Sequence, residues 1–206
     1  MERIFMNLRF NDTDDFAAFK ETLRQRLKAR AKRSISFPDY RKAAVLMLFM
    51  EKEREPHLVL TLRTERVSTH KGQVSFPGGG YDSSDRDFLN TALRETHEEI
   101  GIDPSEIEVI GEFDEYISIM GFHVYVFAGA INSAVQYRAC DDETERILEV
   151  PFSLFYNEEF YKCEKLAHEG RDYDVYYYDY EGVTIWGMTA RIITDFSRKI
   201  CRQGEN

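Results

Sequence analysis

The 206-residue chain lacks any apolar run approaching the roughly 20 residues that a membrane-spanning helix needs. Its start, Met1 to Asn7, has too short an apolar stretch for a signal peptide and no small-residue cleavage site. Cysteine is scarce: Cys140, Cys163 and Cys201 are odd in number, widely spaced and form no Cys-x-x-Cys pair. That excludes a disulfide framework or a cysteine-held zinc site and points to reduced thiols in a cytoplasmic protein. Positive charge is also short, with 27 Lys and Arg against 37 Asp and Glu and a net charge of -10. Nonspecific nucleic-acid binding needs a basic surface, so nucleic acid is not an expected partner, and neither is a membrane. Internal repeats and low-complexity linkers are absent too, which leaves one domain over residues 1–206 as the simplest organisation, a monomer or a homodimer.

What is present is globular in character, 43% hydrophobic and 31% charged. Phe16, Phe19, Leu23 and Leu27 recur at helical spacing and predict an N-terminal helix over about 13–33, ahead of a core over 41–200. Asp12, Asp14 and Asp15 suit its start, while Arg26, Lys28, Arg30, Lys32 and Arg33 suit its end as a solvated basic run. Strands are predicted at 43–50, 57–63, 73–76, 106–113, 122–131, 173–180 and 183–186. Helices are predicted over 88–100, stopped by Gly101, and over 189–201. Strands interleaved with helices imply helices packed on a mixed sheet, an α+β fold.

The chemistry concentrates between Gly78 and Ile102. On a helix at 100 degrees per residue, Leu89, Ala92, Leu93, Thr96 and Ile100 share one packing face. Glu95 and Glu99 lie one turn apart on a neighbouring face, with Glu98 beside them. Three carboxylates so close repel one another, and a hard cation with oxygen ligands removes the repulsion; magnesium suits such a site. Arg94, four residues before Glu98, is placed to orient a carboxylate. Gly78, Gly79 and Gly80 form a turn ahead of the helix where backbone can approach a ligand closely, so the Gly79 carbonyl could reach a metal.

These residues resemble the Nudix box, Gly-x5-Glu-x7-Arg-Glu-U-x-Glu-Glu-x-Gly-U, where U is bulky and apolar. Counted from Gly80, the match holds at Arg94, Glu95, Glu98, Glu99, Gly101 and Ile102. Arg86 stands in place of the first Glu, and Thr96 in place of an apolar residue. The flanks, 60–64 and 72–79, are similar to the signature of coenzyme A pyrophosphatases, which also commonly lack the first Glu; Ser68 stands where that signature has its second Arg. Asp82 and Asp85 resemble the aspartates of that subfamily's loop, and 121–124 and 185–191 its later segments.

The resemblance implies a Nudix-type α/β/α sandwich and magnesium- or manganese-dependent hydrolysis of a nucleotide diphosphate, coenzyme A foremost. ADP-ribose, NADH, a sugar nucleotide or a dinucleotide are the alternatives, and a non-catalytic nucleotide sensor is the rival of another class. Metal ligands are expected at Glu95, Glu98, Glu99 and Gly79; Arg94 orients them, and Glu143 is the base candidate, ranked above Glu145. Arg63 and Lys71, with the three glycines, are expected to hold substrate phosphates. His70, His97 and His123 read as structural or solvent-facing. The tyrosines between 173 and 180 read as a packed sheet face or an adenine-stacking surface, and Trp186 as core.

Overall fold

The computed structural model describes residues 6–64, 72–132, 134–140, 142–168 and 171–202. Ser68, His70 and Lys71 lie outside the described residues. In chain order the elements are α1 (Thr13–Lys28), β1 (Arg41–Lys52), β2 (Glu55–Arg63), β3 (Val74–Ser75), β4 (Gly78–Gly80), α2 (Phe88–Ile100), β5 (Glu108–Glu112), β6 (Tyr116–Ile117), β7 (Phe122–Ala130), β8 (Thr144–Pro151), α3 (Phe152–Tyr156), β9 (Lys162–His168), β10 (Arg171–Tyr180), β11 (Val183–Trp186) and α4 (Gly187–Phe196).

β1 organises the molecule. It runs parallel to β7 from Arg41 to Phe49, and antiparallel to β2 from Leu48 to Lys52. Over Ala43, Ala44 and Val45 it pairs with the glycines of β4 on the same side that β2 occupies further along. β3 and β8 extend the sheet from β2, while β5 and β6 extend it from β7. The sheet is therefore mixed.

The near-continuous apolar sequence of β1 has a simple cause: both of its faces are covered. Ala44, Leu46 and Leu48 pack with Ala92 and Ile100 of α2. Met47 and Phe49 pack on the other face with Phe19 and Leu23 of α1, Phe152 of α3 and Phe196 of α4. The result is helix, sheet, helix: the α/β/α sandwich. A second, three-stranded sheet of β9, β10 and β11 turns Tyr176 and Tyr178 onto α4. The alternating tyrosines of β10 are thus a packed face at those two positions.

Several expectations are corrected. The N-terminal helix ends at Lys28 rather than near residue 33. The basic run beyond it is not a solvated helix end, because Arg30 bonds the buried carboxylate of Asp114 and Lys32 reaches Glu112 and Glu115. The triple-glycine turn is a short strand with β1 as partner. Trp186 is not core: it is 42% exposed, lying beside Tyr177.

Candidate functional site

α2 is fixed at both ends by its own sequence. Asp87 caps the start, accepting from the Asn90 amide at 2.8 Å, and Gly101 ends it at φ 74°, a conformation that favours glycine. Its buried face includes Thr96, whose hydroxyl donates to the Ala92 carbonyl at 2.7 Å. Satisfied by its own helix, that hydroxyl is tolerated where the motif has an apolar side chain.

Glu99 is 4% exposed, so this carboxylate is buried rather than surface-lining. One oxygen accepts from the Gly78 amide at 3.1 Å and the other from Arg63 at 3.2 Å. Burial nevertheless dominates and pushes its pKa up to about 7, with the charges of Glu95 and Glu143 adding to the rise. Glu95 also rises from its ordinary value, mainly through burial, against the opposing pull of Arg94. Its carboxylate lies so close to Gly79 that a Cβ there would overlap it. A side chain at that position would push the Glu95 carboxylate aside, which ties the residue type to the placing of Glu95 rather than to turn geometry. Gly78 is the more constrained, at φ 146° with the β1 backbone against it, whereas a Cβ on Gly80 would meet open space.

Glu98 is half exposed and turns outward to Arg94. Arg94 gathers the exposed side of the site: one nitrogen lies 2.9 Å from Glu95 and 3.0 Å from Glu98, while another donates to the Gly80 carbonyl at 3.2 Å. Its remaining contacts go to Asp85, through Nε at 2.8 Å and Nη2 at 3.0 Å. Asp85 is buried, also accepts from Thr91 at 2.8 Å, and is held far below the ordinary carboxylate range by Arg94. Motif counting missed Asp85 as a site residue because it lands on Arg86, which is exposed and reaches only Asp87. The Asp82-x-x-Asp85 turn, where Asp85 accepts from the Asp82 amide, is the local signal.

Glu143 enters from the loop before β8. Its carboxylate stands 3.8 Å from Arg63, and its carbonyl accepts from the Thr64 amide at 3.0 Å. Glu145 lies within β8. Of the histidines named above, His97 lies 3.1 Å from the Ile102 carbonyl and His123 2.8 Å from Glu115, while His70 lies outside the described residues. Lys71 lies outside the described residues.

Thus Glu95 and Glu99 converge on the Gly78–Gly79 backbone, with Arg63, Arg94 and Glu143 around them. Among the described residues no three acidic, His or Cys side chains stand together as a ready-made cation group. The donor chemistry still fits a hard divalent cation. Two desolvated carboxylates beside a backbone with no side chain in the way gain most from such an ion.

The profile of the NUDIX domain matches residues 39–174. A relative named uncharacterized Nudix hydrolase NudL, from Enterobacter sp. (strain 638), is 35% identical over 187 residues, 91% of this chain and 94% of the relative. A protein of the same name from Escherichia coli O1:K1 / APEC is 33% identical over 195 residues, covering 95% and 98%. A crystal structure of a Nudix hydrolase from M. smegmatis, RenU, aligns over 57% of this chain and 74% of that chain at 20% identity, with a TM-score of 0.48. The chain belongs to the Nudix family of hydrolases. No helix among the described residues is long and apolar enough to cross a membrane.

Proposed function

We propose that this Nudix hydrolase cleaves the diphosphate of coenzyme A or a close derivative, releasing 3′,5′-ADP and 4′-phosphopantetheine. The observation that carries the hydrolytic reading is the convergence of Glu95 and Glu99 on Gly78 and Gly79. A binding module has no use for two desolvated carboxylates set side by side. The coenzyme A reading is supported by the flanking signature and by Asp85, which supplies the acid that the box lacks at Arg86.

Glu95, Glu99 and the Gly79 carbonyl would hold magnesium or manganese, with Glu98 joining by leaving Arg94. Such an ion neutralises the diphosphate, polarises its P–O bonds and lowers the pKa of water. The protein's own groups do the rest. Arg94, anchored by Asp85, keeps Glu95 and Glu98 aimed. Arg63 sits between Glu99 and Glu143 and would exchange a carboxylate for a substrate phosphate. Glu143, half exposed and next to Arg63, is the base candidate. It would take a proton from the water whose oxygen attacks one phosphorus, while the bridging P–O bond breaks and its electron pair leaves with the other phosphate. Lys71 remains a sequence-based candidate for phosphate binding.

Chromatographic product analysis with coenzyme A, its 3′-dephospho form, ADP-ribose and NADH, with magnesium and with chelator, tests this. Clear preference for coenzyme A supports it. Preference for ADP-ribose or NADH over both coenzyme A forms contradicts the substrate and leaves the hydrolase.

A further inference from the structure

Carboxylates outnumber cations 37 to 27 in this chain, so most arginines find an acid. Arg24, Arg30, Arg63, Arg94, Arg198 and Arg202 all do. Three that have no carboxylate partner among the described residues surround the β6–β7 hairpin. Arg33 lies over the Tyr116 ring at 5.0 Å, Arg41 over Phe122 at 4.1 Å, and Arg191 over both Tyr173 at 4.9 Å and Tyr116 at 5.8 Å. Arg26, Arg54 and Arg138, for which no carboxylate partner is seen among the described residues either, sit apart: Arg26 donates to the Ile200 and Cys201 carbonyls, Arg54 lies by the β1–β2 turn and Arg138 beside Gly101. A guanidinium stacked on a ring is held in orientation yet keeps in-plane N–H donors; Arg33 gives one of them, on Nη2, to the Glu115 carbonyl at 3.1 Å. The one carboxylate beside them, Asp195, accepts from the Tyr116 hydroxyl at 2.9 Å and lies 3.7 Å from Lys199; three guanidiniums without a carboxylate of their own, in an acidic protein, form a surface that selects an anionic ligand.

Its position is set by strand register. Gly80 pairs with Ala43, Ala43 with Val124, and Val124 with Tyr116. Three strand spacings place Tyr116 about 14 Å from Gly80 along one row of the sheet. Arg41 lies two residues from Ala43, at the same end of β1. From α4, the Thr189 hydroxyl reaches the Val74 carbonyl on β3 at 3.0 Å, while Arg191 reaches across to Tyr116. The arginine group therefore stands at the same end of the sheet as the carboxylates, about three strands across from Gly80 and on the α1 and α4 face, so that a ligand reaching both passes over the end of the sheet.

We propose that Arg191, with Arg33 and Arg41, forms a second anion subsite that binds a phosphate monoester on the nucleoside half of the substrate. The identification of that monoester as the 3′-phosphate of coenzyme A rests on the function proposed above; the subsite itself rests on the arginines. Arg191 is the specificity-determining member, because two rings fix it.

Calorimetric titration of magnesium-loaded protein with 3′,5′-ADP and with 5′-AMP isolates the monoester without requiring turnover. The wild type is expected to bind 3′,5′-ADP about tenfold or more tightly than 5′-AMP, and R191Q to bring the two within about threefold. R33Q, an exposed change that spares the core, is expected to narrow the gap by about two- to fivefold. Equal binding of both nucleotides by the wild type overturns the subsite, as does a gap that survives both R191Q and R33Q. Coenzyme A hydrolysis measured alongside separates the two proposals. A persisting arginine-dependent preference without coenzyme A cleavage removes the substrate and keeps the subsite. Cleavage without the preference removes the subsite alone.

Discussion

Arg94 and Asp85 face each other through two parallel hydrogen bonds, Nε to Oδ1 at 2.8 Å and Nη2 to Oδ2 at 3.0 Å. The carboxylate is buried and the guanidinium extends on to Glu95, Glu98 and the Gly80 carbonyl. One residue earlier than the motif expects, Asp85 does the work of an acid that anchors the arginine. Planar, bidentate pairing of this kind fixes orientation as well as energy.

Asp85→Ala is therefore expected to lower kcat about tenfold or more and to cost about 1.5–3 kcal/mol of stability, as loss of charge-assisted hydrogen bonds does. Arg86→Glu, which restores the motif's own acid, is expected to stay within about twofold of the parent in the Asp85 background. Steady-state rates and urea unfolding of both variants check this. Normal turnover in Asp85→Ala would remove the anchoring role.

The three glycines of β4 are expected to separate cleanly. Gly78→Ala should lose stability first, because its φ of 146° and the β1 backbone oppose a Cβ. Gly79→Ala should lose activity first, by roughly a hundredfold, because the new methyl displaces the Glu95 carboxylate. Gly80→Ala should do least of the three, since a Cβ there meets nothing. Melting temperatures beside kcat for the set decide it, and a common loss of both quantities across all three would contradict it.

His57 gives the fold a pH dependence away from the site. It is 2% exposed on β2, and burial lowers its pKa below the ordinary 6.5. Above that value both folded and unfolded chains carry it neutral, and its contribution is fully present. As pH falls below 6.5 the unfolded chain binds the proton first, so stability is lost until the folded pKa is passed. Wild type should lose more stability than His57→Gln between pH 7.5 and 5.5 in urea titrations. Parallel slopes would mean that His57 does not carry the effect.

The chemistry was legible where it is written at fixed spacing on one helix. α2 runs from Phe88 to Ile100, as its periodicity and Gly101 imply, and Glu95 and Glu99 share the glycine strand. Illegible features depend on partners distant in sequence. β8 is half exposed and places Glu145, Arg146 and Glu149 along its length, so it lacks clean alternation. α3 spans only 5 residues, too short for a periodic signal. The N-terminal helix was read too long because nothing local announces the pull of Asp114 on Arg30, 84 residues apart. Glu98 shares the helix with Glu95 but not its surroundings; its outward turn follows from Arg94, itself set by Asp85.

The most direct test of the hydrolytic reading is Glu99→Gln. The substitution keeps the side chain's size and removes the buried carboxylate's charge, at the loss of one of the two acceptors that face Gly78 and Arg63. The measurement is the initial rate of coenzyme A diphosphate hydrolysis with magnesium, paired with the melting temperature of the same preparation. A fall of roughly a thousandfold or more in kcat, in a preparation that still melts cooperatively, is the expected result. A Glu99→Gln enzyme that turns over at the wild-type rate with magnesium present would contradict the assignment of Glu99 to the reaction.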